Sequence, residues 1–261
     1  MIEYRLLGGK MNYYIITGTS KGLGEALALE LLNKGNHVIG ISRTISDKIE
    51  DRVLLKNCNW THIPWDISDM DGLASLMEKV FGSIDFEQAL SICLINNAGV
   101  VTPVKIIEKY DEQEITEAFT INTLAPIFMT AKFIERLKTM KMDKRVVNIS
   151  SGAGKHPYDG WSCYCSTKAA MDMFTRCVAL EQKKTAFPVR MMALAPGIID
   201  THMQGVIRTS NREDFSLVEK FVDYKRTGSL QSPTEAAQKI LEVMEIEAMS
   251  QGELLDIRDY M

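Results

Sequence analysis

Short apolar runs alternate with amphipathic stretches along almost the whole chain. The apolar runs end in polar or glycine-containing turns, and they predict strands at residues 13–17, 37–41, 61–65, 91–96, 145–149, 189–194 and 253–257. Apolar positions at helical spacing predict helices at residues 22–33, 69–80, 112–140 (interrupted near Pro126), 158–183 and 234–247. Because the two kinds of segment alternate and their connections are short, the pattern indicates a single α/β domain with a parallel sheet and helices on both faces.

Two segments depart from this alternation. The residues after the second strand are polar and are predicted to form a loop. Residues 201–232 are charged and show only a modest helical pattern at 215–224. In a doubly wound sheet they would follow the carboxyl end of the sixth strand, where ligands bind. A mobile substrate cover is the functional interpretation, and a plain surface excursion is the alternative.

Composition narrows the class of protein. Of 261 residues, 46% are apolar and 25% are charged, which is typical of a soluble globular chain and excludes disordered, collagen-like and disulfide-scaffold classes. The net charge of −4 argues against a nucleic-acid binder, which needs a basic excess to neutralise phosphates. No apolar run reaches the roughly 18 residues that cross a bilayer, so no membrane partner is expected. The five cysteines form no C-x-x-C pair and are interpreted as reduced thiols of a cytoplasmic protein.

Residues 1–10 do not fit the domain that follows. The peptide Leu7-Gly8-Gly9-Lys10-Met11 can be back-translated as UUA-GGA-GGA-AAA-AUG, in which AGGAGG precedes an AUG as in a bacterial ribosome-binding site. The hypothesis is that Met11 is the true start and that residues 1–10 are a non-native or disordered leader. The single domain then spans residues 11–261.

A glycine-rich turn connects the first strand to the first helix and reads Thr17-Gly18-Thr19-Ser20-Lys21-Gly22-Leu23-Gly24. Glycines allow the backbone to approach a pyrophosphate closely, and the helix N-terminus supplies free N–H groups. Any tight strand-to-helix turn favours glycine, so the glycines alone are weak evidence. The motif indicates a dinucleotide site because a predicted strand precedes it and a predicted helix follows it. The candidate cofactor-binding residues of this turn are Gly18, Ser20, Lys21, Gly22, Leu23 and Gly24.

The residues after the second strand indicate which dinucleotide the turn would bind. NAD is usually recognised by a carboxylate at this place, but the sequence reads Ser42-Arg43-Thr44. Arg43 can bind a 2′-phosphate with two hydrogen bonds, and Lys21 can add a second charge. Each could instead be a solvated surface cation. Together, with no acid at the strand end, they predict NADPH or NADP+ as the cofactor.

Two further strands end in candidate site residues. The fourth strand ends in Asn96-Asn97-Ala98-Gly99, where Asn97, Ala98 and Gly99 could contact a cofactor or form an ordinary turn. The fifth strand runs into Ser151.

Tyr164 follows Ser151 by 13 residues, and Lys168 follows Tyr164 by four, which places Tyr164 and Lys168 on one helix face. A cation near the phenol favours its ionised form, so Tyr164 could donate a proton to a carbonyl oxygen while Ser151 hydrogen-bonds the same oxygen. Y-x-x-x-K alone occurs by chance on many helices, and its combination with Ser151 and the glycine turn makes chance a poor explanation.

Taken together, these motifs resemble the short-chain dehydrogenase/reductase family from about Met11 to the C-terminus. The resemblance implies a Rossmann-type doubly wound parallel sheet of about seven strands. It also implies that Asn122 is a fourth catalytic residue, which holds a water that links Lys168 to a proton relay. The further cofactor contacts that it implies are Asp66 and Ile67 near the adenine, Ile199 and Thr201 near the carboxamide end of the nicotinamide, and Pro196 and Gly197 just before them. Tyr164 and Lys168 are also expected to contact the cofactor, with Lys168 holding the nicotinamide ribose.

Several segments, including Ser150–Lys155 and Ala195–Gln204, are similar to the benzil reductase and sepiapterin reductase branches of this family. On that basis the expected activity is NADPH-dependent reduction of a small ketone, with an aromatic 1,2-diketone as the favoured substrate and a sepiapterin-type ketone as the alternative. Tyr158 and Trp161 could line an aromatic substrate pocket, although Trp161 could equally belong to the core or to an interface. Asp256 could anchor the substrate or simply end the last strand. His156 and His202 flank the site without a third ligand, so no metal is expected.

Two functions of other classes stay open at this point: a non-catalytic NADPH-sensing regulator and a scaffold protein that binds no dinucleotide. A sensor need not keep Ser151, Tyr164, Lys168 and Asn122 together. The long helical segments 112–140 and 158–183 resemble the dimer-forming pair of the family. A homodimer is therefore expected, with a tetramer as the alternative.

Overall fold

The computed structural model describes residues 10–245 and 251–260. The predicted leader, apart from Lys10, lies outside the described residues. The strands are β1 (Met11–Thr17), β2 (Asn36–Ser42), β3 (Asn59–Pro64), β4 (Ala89–Asn96), β5 (Asp143–Ile149), β6 (Arg190–Ala195) and β7 (Glu253–Asp256). All seven predicted strands are confirmed, most of them one or two residues longer than the apolar pattern indicated.

The strands form one parallel sheet in the order β3-β2-β1-β4-β5-β6-β7. Chain order runs outward from β1 in one direction and from β4 in the other. The connection that follows β1 and the connection that follows β4 therefore run in opposite directions along the sheet. A crevice opens between them, at the carboxyl ends of these two strands. The predicted Rossmann-type doubly wound fold is confirmed.

Helices cover both faces of this sheet. They are α1 (Gly22–Leu31), α2 (Asp47–Lys56), α3 (Leu73–Gly82), α4 (Glu112–Phe119), α5 (Ala125–Leu137), α6 (Ser162–Gln182), α7 (His202–Arg208), α8 (Val218–Arg226) and α9 (Pro233–Met244). Successive strand residues point to opposite faces, so Ile15 packs in the core under α3, α5 and α6, while Ile16 packs in the core under α1 and α9. Both faces of the central strands are thus buried, as expected for a parallel sheet.

The prediction of a polar loop after β2 is wrong, because helix α2 lies there. Ile49 is its one buried residue, and Leu54 and Leu55 are more than four-fifths exposed. The helix therefore has almost no apolar stripe from which it could have been predicted.

The predicted interruption of the helix at residues 112–140 is confirmed and lies just before Pro126. Between α4 and α5, the backbone forms a π-helical turn at Thr120–Leu124, and Pro126 lies in the first turn of α5. Such turns are frequent at functional sites, and this one carries Asn122.

Candidate active site

A cavity of about 610 Å³ lies along the carboxyl edge of the sheet. The structure brings to it all the predicted site residues except Asn122 and Asp256. The predicted residues that line it are Gly18, Ser20, Lys21, Gly22, Leu23, Gly24, Arg43, Asp66, Ile67, Asn97, Ala98, Gly99, Ser151, Tyr158, Trp161, Tyr164, Lys168, Pro196, Gly197, Ile199 and Thr201.

The glycine turn needs its glycines for two reasons. Gly18 and Gly22 have φ angles of +76° and +65°, in a region that side chains disfavour. A Cβ on Gly24 would lie 2.2 Å from the carbonyl oxygen of Gly18 and 2.5 Å from Nδ2 of Asn97. The first turn of α1 can therefore pack against the loop only without a side chain at this position, which leaves the N-terminus of α1 open to the cavity.

Thr17 joins the ends of β1 and β4. Its Oγ1 accepts hydrogen bonds of 3.0 Å from the backbone N–H groups of Asn97 and Ala98. In return, Nδ2 of Asn97 donates to the carbonyl oxygen of Thr17 at 2.8 Å. The Asn97 side chain thus fixes the shape of the crevice. The role of Thr17 could not be predicted, because its partners lie 80 and 81 residues away in the chain.

Two cations mark one end of the cavity. The Thr19 and Ser42 hydroxyls are 3.0 Å apart, so the glycine turn that carries Lys21 adjoins the end of β2 that carries Arg43. A guanidinium nitrogen of Arg43 lies 3.7 Å from a carboxylate oxygen of Asp66. Hydrogen bonds from Ser68, with a smaller effect from Arg43, hold the pKa of Asp66 below its usual value.

Ser151, Tyr164 and Lys168 meet in the middle of the cavity. Ser151 follows β5, and Tyr164 and Lys168 lie one turn apart on α6. Nζ of Lys168 is 5.7 Å from the centre of the Tyr164 ring and donates a 2.8 Å hydrogen bond to the carbonyl oxygen of Ile149. Tyr164 and Lys168 are both less than a tenth exposed.

Burial changes the protonation of this pair. It raises the pKa of the Tyr164 phenol, and the neighbouring Ser151 hydroxyl acts in the opposite direction. Burial lowers the pKa of Lys168 to about 8, which the Asp172 carboxylate partly offsets. Asp172 lies one turn beyond Lys168 on α6 and accepts a hydrogen bond from the Ser150 hydroxyl. Asp172 is not among the predicted site residues, although its i+4 spacing from Lys168 is a signal that could have identified it.

Asn122 lies behind the cavity wall. Its Oδ1 accepts from the backbone N–H of Val100 and its Nδ2 donates to the carbonyl oxygen of Val100, both at 2.8 Å. A Cβ on Gly99 would be 3.2 Å from Oδ1 of Asn122 and 3.8 Å from Nζ of Lys168. The π-helical turn therefore places the amide close to Lys168, separated from it by a residue without a side chain.

Residues that follow β6 form a further part of the cavity wall, next to the glycine turn. Thr201 is the N-cap of α7, and a Cβ on Gly22 would lie 3.3 Å from Cγ2 of Thr201. Ile199 is fixed by bridge-type pairing of its backbone with the segment at Gln231. The predicted nicotinamide contact Thr201 thus adjoins the glycine turn.

Segment 201–232 contains α7 and α8 and covers the remaining end of the cavity. Its Phe215 and Phe221 surround Trp161, with ring centres 4.7 and 5.5 Å from the indole, and Tyr158 lies 5.4 Å away. Lys109 pairs with Asp214 at 2.6 Å and fastens the segment to the body of the domain. Trp161 is therefore both packed in an aromatic cluster and part of the cavity wall.

The structure does not bring Asp256 to the cavity wall. Its carboxylate is held by Arg258, with Nε to Oδ1 at 2.9 Å and Nη2 to Oδ2 at 2.6 Å. Arg258 itself lines the cavity. The residue on the wall is therefore the base two positions after the predicted acid. Arg258 could not be predicted, because the C-terminal segment is brought near Ser151 by contacts between residues that are distant in the chain.

Within residues 10–245 and 251–260, no group of three or more His, Cys, Asp or Glu side chains could hold a metal ion. The same part of the chain contains no helix that is long and apolar enough to cross a membrane.

The fold and the site together define a Rossmann-type oxidoreductase. The model of the short chain dehydrogenase family matches residues 12–212, and the chain belongs to this family. It is accordingly an oxidoreductase that uses NAD(P) and acts on C=O or CH–OH groups of a small molecule.

Curated relatives extend over nearly the full length. The chain is 44% identical over 247 residues to a benzil reductase ((S)-benzoin forming) of Bacillus cereus, which covers 95% of this chain and 99% of the relative. It is 40% identical over 251 residues to the benzil reductase ((S)-benzoin forming) of Bacillus subtilis, covering 96% and 100%. A sepiapterin reductase of Xenopus tropicalis is 30% identical over 256 residues, covering 94% and 95%.

Solved structures show the same fold. A short-chain dehydrogenase/reductase from Saccharomyces cerevisiae aligns with a TM-score of 0.79 at 24% identity, covering 95% of this chain and 96% of that one. A putative 2-deoxy-D-gluconate 3-dehydrogenase from Agrobacterium tumefaciens, with bound NADP, aligns with a TM-score of 0.74 at 22% identity, covering 95% and 94%.

Proposed function

We propose that this oxidoreductase is an NADPH-dependent reductase of small aromatic ketones, and that 1,2-diketones such as benzil are its preferred substrates. The observation that carries the proposal is the layout of one continuous cavity. Two cations lie at one end, Ser151, Tyr164 and Lys168 lie in the middle, and an aromatic cluster lies at the other end.

The residues present fit a phosphorylated dinucleotide. The open N-terminus of α1 and the glycine turn suit a pyrophosphate, because they offer backbone N–H groups with no side chain in the way. Lys21 and Arg43 suit the extra 2′-phosphate, and no carboxylate follows β2 directly. When bound, NADPH supplies the hydride that reduces the carbonyl carbon.

Tyr164 is the group that donates the proton. Burial keeps its phenol protonated at neutral pH, so the proton is available to the carbonyl oxygen. The Ser151 hydroxyl can hydrogen-bond the same oxygen and orient it. As the proton leaves, the nearby Lys168 ammonium stabilises the phenolate. Asn122, whose amide is held by Val100, lies on the other side of Gly99 from Lys168, close enough for one water molecule to link the two in a proton relay.

The rings of Tyr158, Trp161 and Phe221 form the cavity wall on the substrate side, which suits an aromatic substrate. A second observation favours a diketone over a pterin. The Asp256 carboxylate, which could have anchored the amino groups of a pterin, is neutralised by Arg258. The names of the two Bacillus relatives support the same choice.

We further propose a homodimer formed through α4, α5 and α6. Ile115, Met173 and Leu180 on these helices, and Leu124 in the π-helical turn between α4 and α5, are exposed by more than a third, although they are apolar. A second copy would bury them. Sedimentation velocity distinguishes a dimer from a monomer or a tetramer.

The test of the proposed function is a screen of carbonyl compounds with NADPH and NADH side by side, followed by absorbance at 340 nm. We expect NADPH to be consumed with benzil faster than with sepiapterin or simple aliphatic ketones, and NADH to be used less well. A protein that binds NADPH but reduces no carbonyl compound would instead be a sensor, and one that binds neither dinucleotide would be a scaffold.

A further inference from the structure

Arg258 has no role in the proposed binding of NADPH or in proton donation, although it lines the same cavity. It follows β7 in a short 3₁₀ turn, Ile257–Tyr260. Its aliphatic stem passes over Gly197, where a Cβ would lie 3.7 Å from Cγ of Arg258. A Cβ on Gly152 would lie 3.9 Å from Nη2. Because Gly152 directly follows Ser151, the guanidinium lies beside the group that would orient the reacting carbonyl.

Asp256 fixes the direction of this guanidinium. The carboxylate accepts one hydrogen bond from Nε and one from Nη2, and it also accepts from the backbone N–H of Arg258 at 3.0 Å. Guanidinium has five N–H donors, so this pair leaves one N–H on Nη2 and both on Nη1. In the described part of the chain, no hydrogen bond engages Nη1. The free donors are directed away from Asp256 and are held by a rigid two-point contact.

Other cations of the cavity already have roles. Of the described residues, its lysines and arginines are Lys21, Arg43, Lys168 and Arg258, and the first three belong to the cofactor end or to Tyr164. Arg258 is thus the one Lys or Arg on the substrate side of this described wall. Tyr158, which belongs to the aromatic wall, lies close enough to interact with it electrostatically.

We propose that Arg258 binds the second carbonyl oxygen of a 1,2-dicarbonyl substrate and thereby selects diketones over monoketones. This rests on the proposed function, because it takes the first carbonyl oxygen to lie at Ser151 and Tyr164. Arg258 acts as a substrate-orienting residue, and Asp256 is the residue that positions it.

The paired state of Arg258 determines which acceptor it suits. Its positive charge is balanced by Asp256, so a full anion gains little from the ion pair, whereas a neutral carbonyl oxygen still receives a charge-assisted hydrogen bond. Holding both oxygens also fixes the plane of the dicarbonyl unit. Only one face of the reacting carbonyl is then presented to the cofactor end of the cavity, so Arg258 also determines the handedness of the hydroxyketone product.

The experiment compares two substrates of nearly equal shape, benzil and deoxybenzoin, in which a CH₂ group replaces one carbonyl. The variants are Arg258→Met, which keeps the aliphatic stem, and Arg258→Lys, which keeps the charge but loses the planar fork. Arg226→Met is the matched control, because Arg226 is an exposed arginine paired with an aspartate (Asp223) and does not line the cavity. For each protein, kcat/KM is measured with both substrates, KM with NADPH, and the enantiomeric excess of benzoin by chiral chromatography.

We expect Arg258→Met to lower kcat/KM for benzil by at least about tenfold and to change that for deoxybenzoin by less than about twofold. The enantiomeric excess should fall, KM for NADPH should stay unchanged, and Arg258→Lys should be intermediate. Equal losses on both substrates, or an unchanged enantiomeric excess, would overturn the inference. If Arg258→Met does not fold, an unchanged benzil-to-deoxybenzoin ratio in Arg258→Lys overturns it. Failure of the proposed function appears differently, as a wild-type protein that reduces neither substrate, and the inference then falls with it.

Discussion

Replacing Arg43 with Asp tests the proposed cofactor preference. The Arg43 side chain is 78% exposed, and its ion pair with Asp66 is long at 3.7 Å. An exposed pair of this kind adds little to folding stability, so the variant should fold and melt like the wild type. The substitution should therefore weaken almost only the binding of the 2′-phosphate of NADPH.

The expected loss in NADPH affinity follows from the hydrogen bonds that the 2′-phosphate would lose. A hydrogen bond between a guanidinium and a charged oxygen contributes about 1.5–3 kcal/mol, which corresponds to roughly 10-fold to 150-fold in binding. The new carboxylate also repels the phosphate, by about 1 kcal/mol at 4 Å in water. We therefore expect kcat/KM for NADPH to fall by more than about tenfold. The use of NADH should improve relative to NADPH, because a carboxylate at this place can accept a hydrogen bond from the ribose hydroxyl.

The assay measures kcat/KM for NADPH and for NADH at a fixed saturating ketone concentration. Arg226→Asp is the control, since Arg226 is as exposed as Arg43 and is also paired with an aspartate, but lies away from the cavity. It should leave the NADPH-to-NADH ratio unchanged. An unchanged ratio in Arg43→Asp would refute the role given to Arg43 and would move phosphate recognition to Lys21.

Three further variants test the proton chemistry and the fold. Tyr164→Phe keeps the ring but removes the proton donor, so kcat should fall by about 10²–10⁴-fold while NADPH binding, measured by fluorescence titration, stays near normal. Asp172→Asn removes the carboxylate that partly offsets the lowering of the Lys168 pKa by burial, so this pKa should fall further below about 8. The alkaline fall in kcat for ketone reduction should then move to lower pH. An unchanged pH profile would exclude this coupling. Lys144→Met removes the donor that binds three backbone carbonyl oxygens at 2.8–3.0 Å, those of Leu137, Met140 and Phe187. The free energy of unfolding in urea should fall by about 3 kcal/mol, against less than about 0.5 kcal/mol for the exposed Lys56→Met.

Local sequence determines much of this fold. The strands were predictable because central parallel strands are buried on both faces and appear as continuous apolar runs, as in 91–96. The glycine turn was predictable because its close contacts involve neighbours in the chain, such as Gly18 and Gly24. The spacing of Tyr164 and Lys168 follows directly from the helix period.

The parts that the sequence did not predict depend on contacts that are distant in the chain or on weak patterns. Helix α2 buries only Ile49, so its polar sequence was indistinguishable from a loop. The position of Asn122 depends on a π-helical turn that no residue spacing predicts. Only the family resemblance indicated that Asn122 belongs to the site. Arg258 reaches the cavity because β7 adds to the edge of the sheet beside β6, a pairing of residues about 60 positions apart.

We expect the protein to catalyse hydride transfer from NADPH to one carbonyl carbon of a diketone while Tyr164 supplies the proton to the oxygen. The most direct test uses NADPH that carries deuterium at the transferred position, with benzil as substrate, and analyses the product by mass spectrometry and chiral chromatography. We expect one deuterium on the carbinol carbon of benzoin for each NADPH consumed, a strong excess of one enantiomer, and almost no product with Tyr164→Phe. Benzoin without deuterium, or consumption of NADPH that does not depend on benzil, would contradict this expectation.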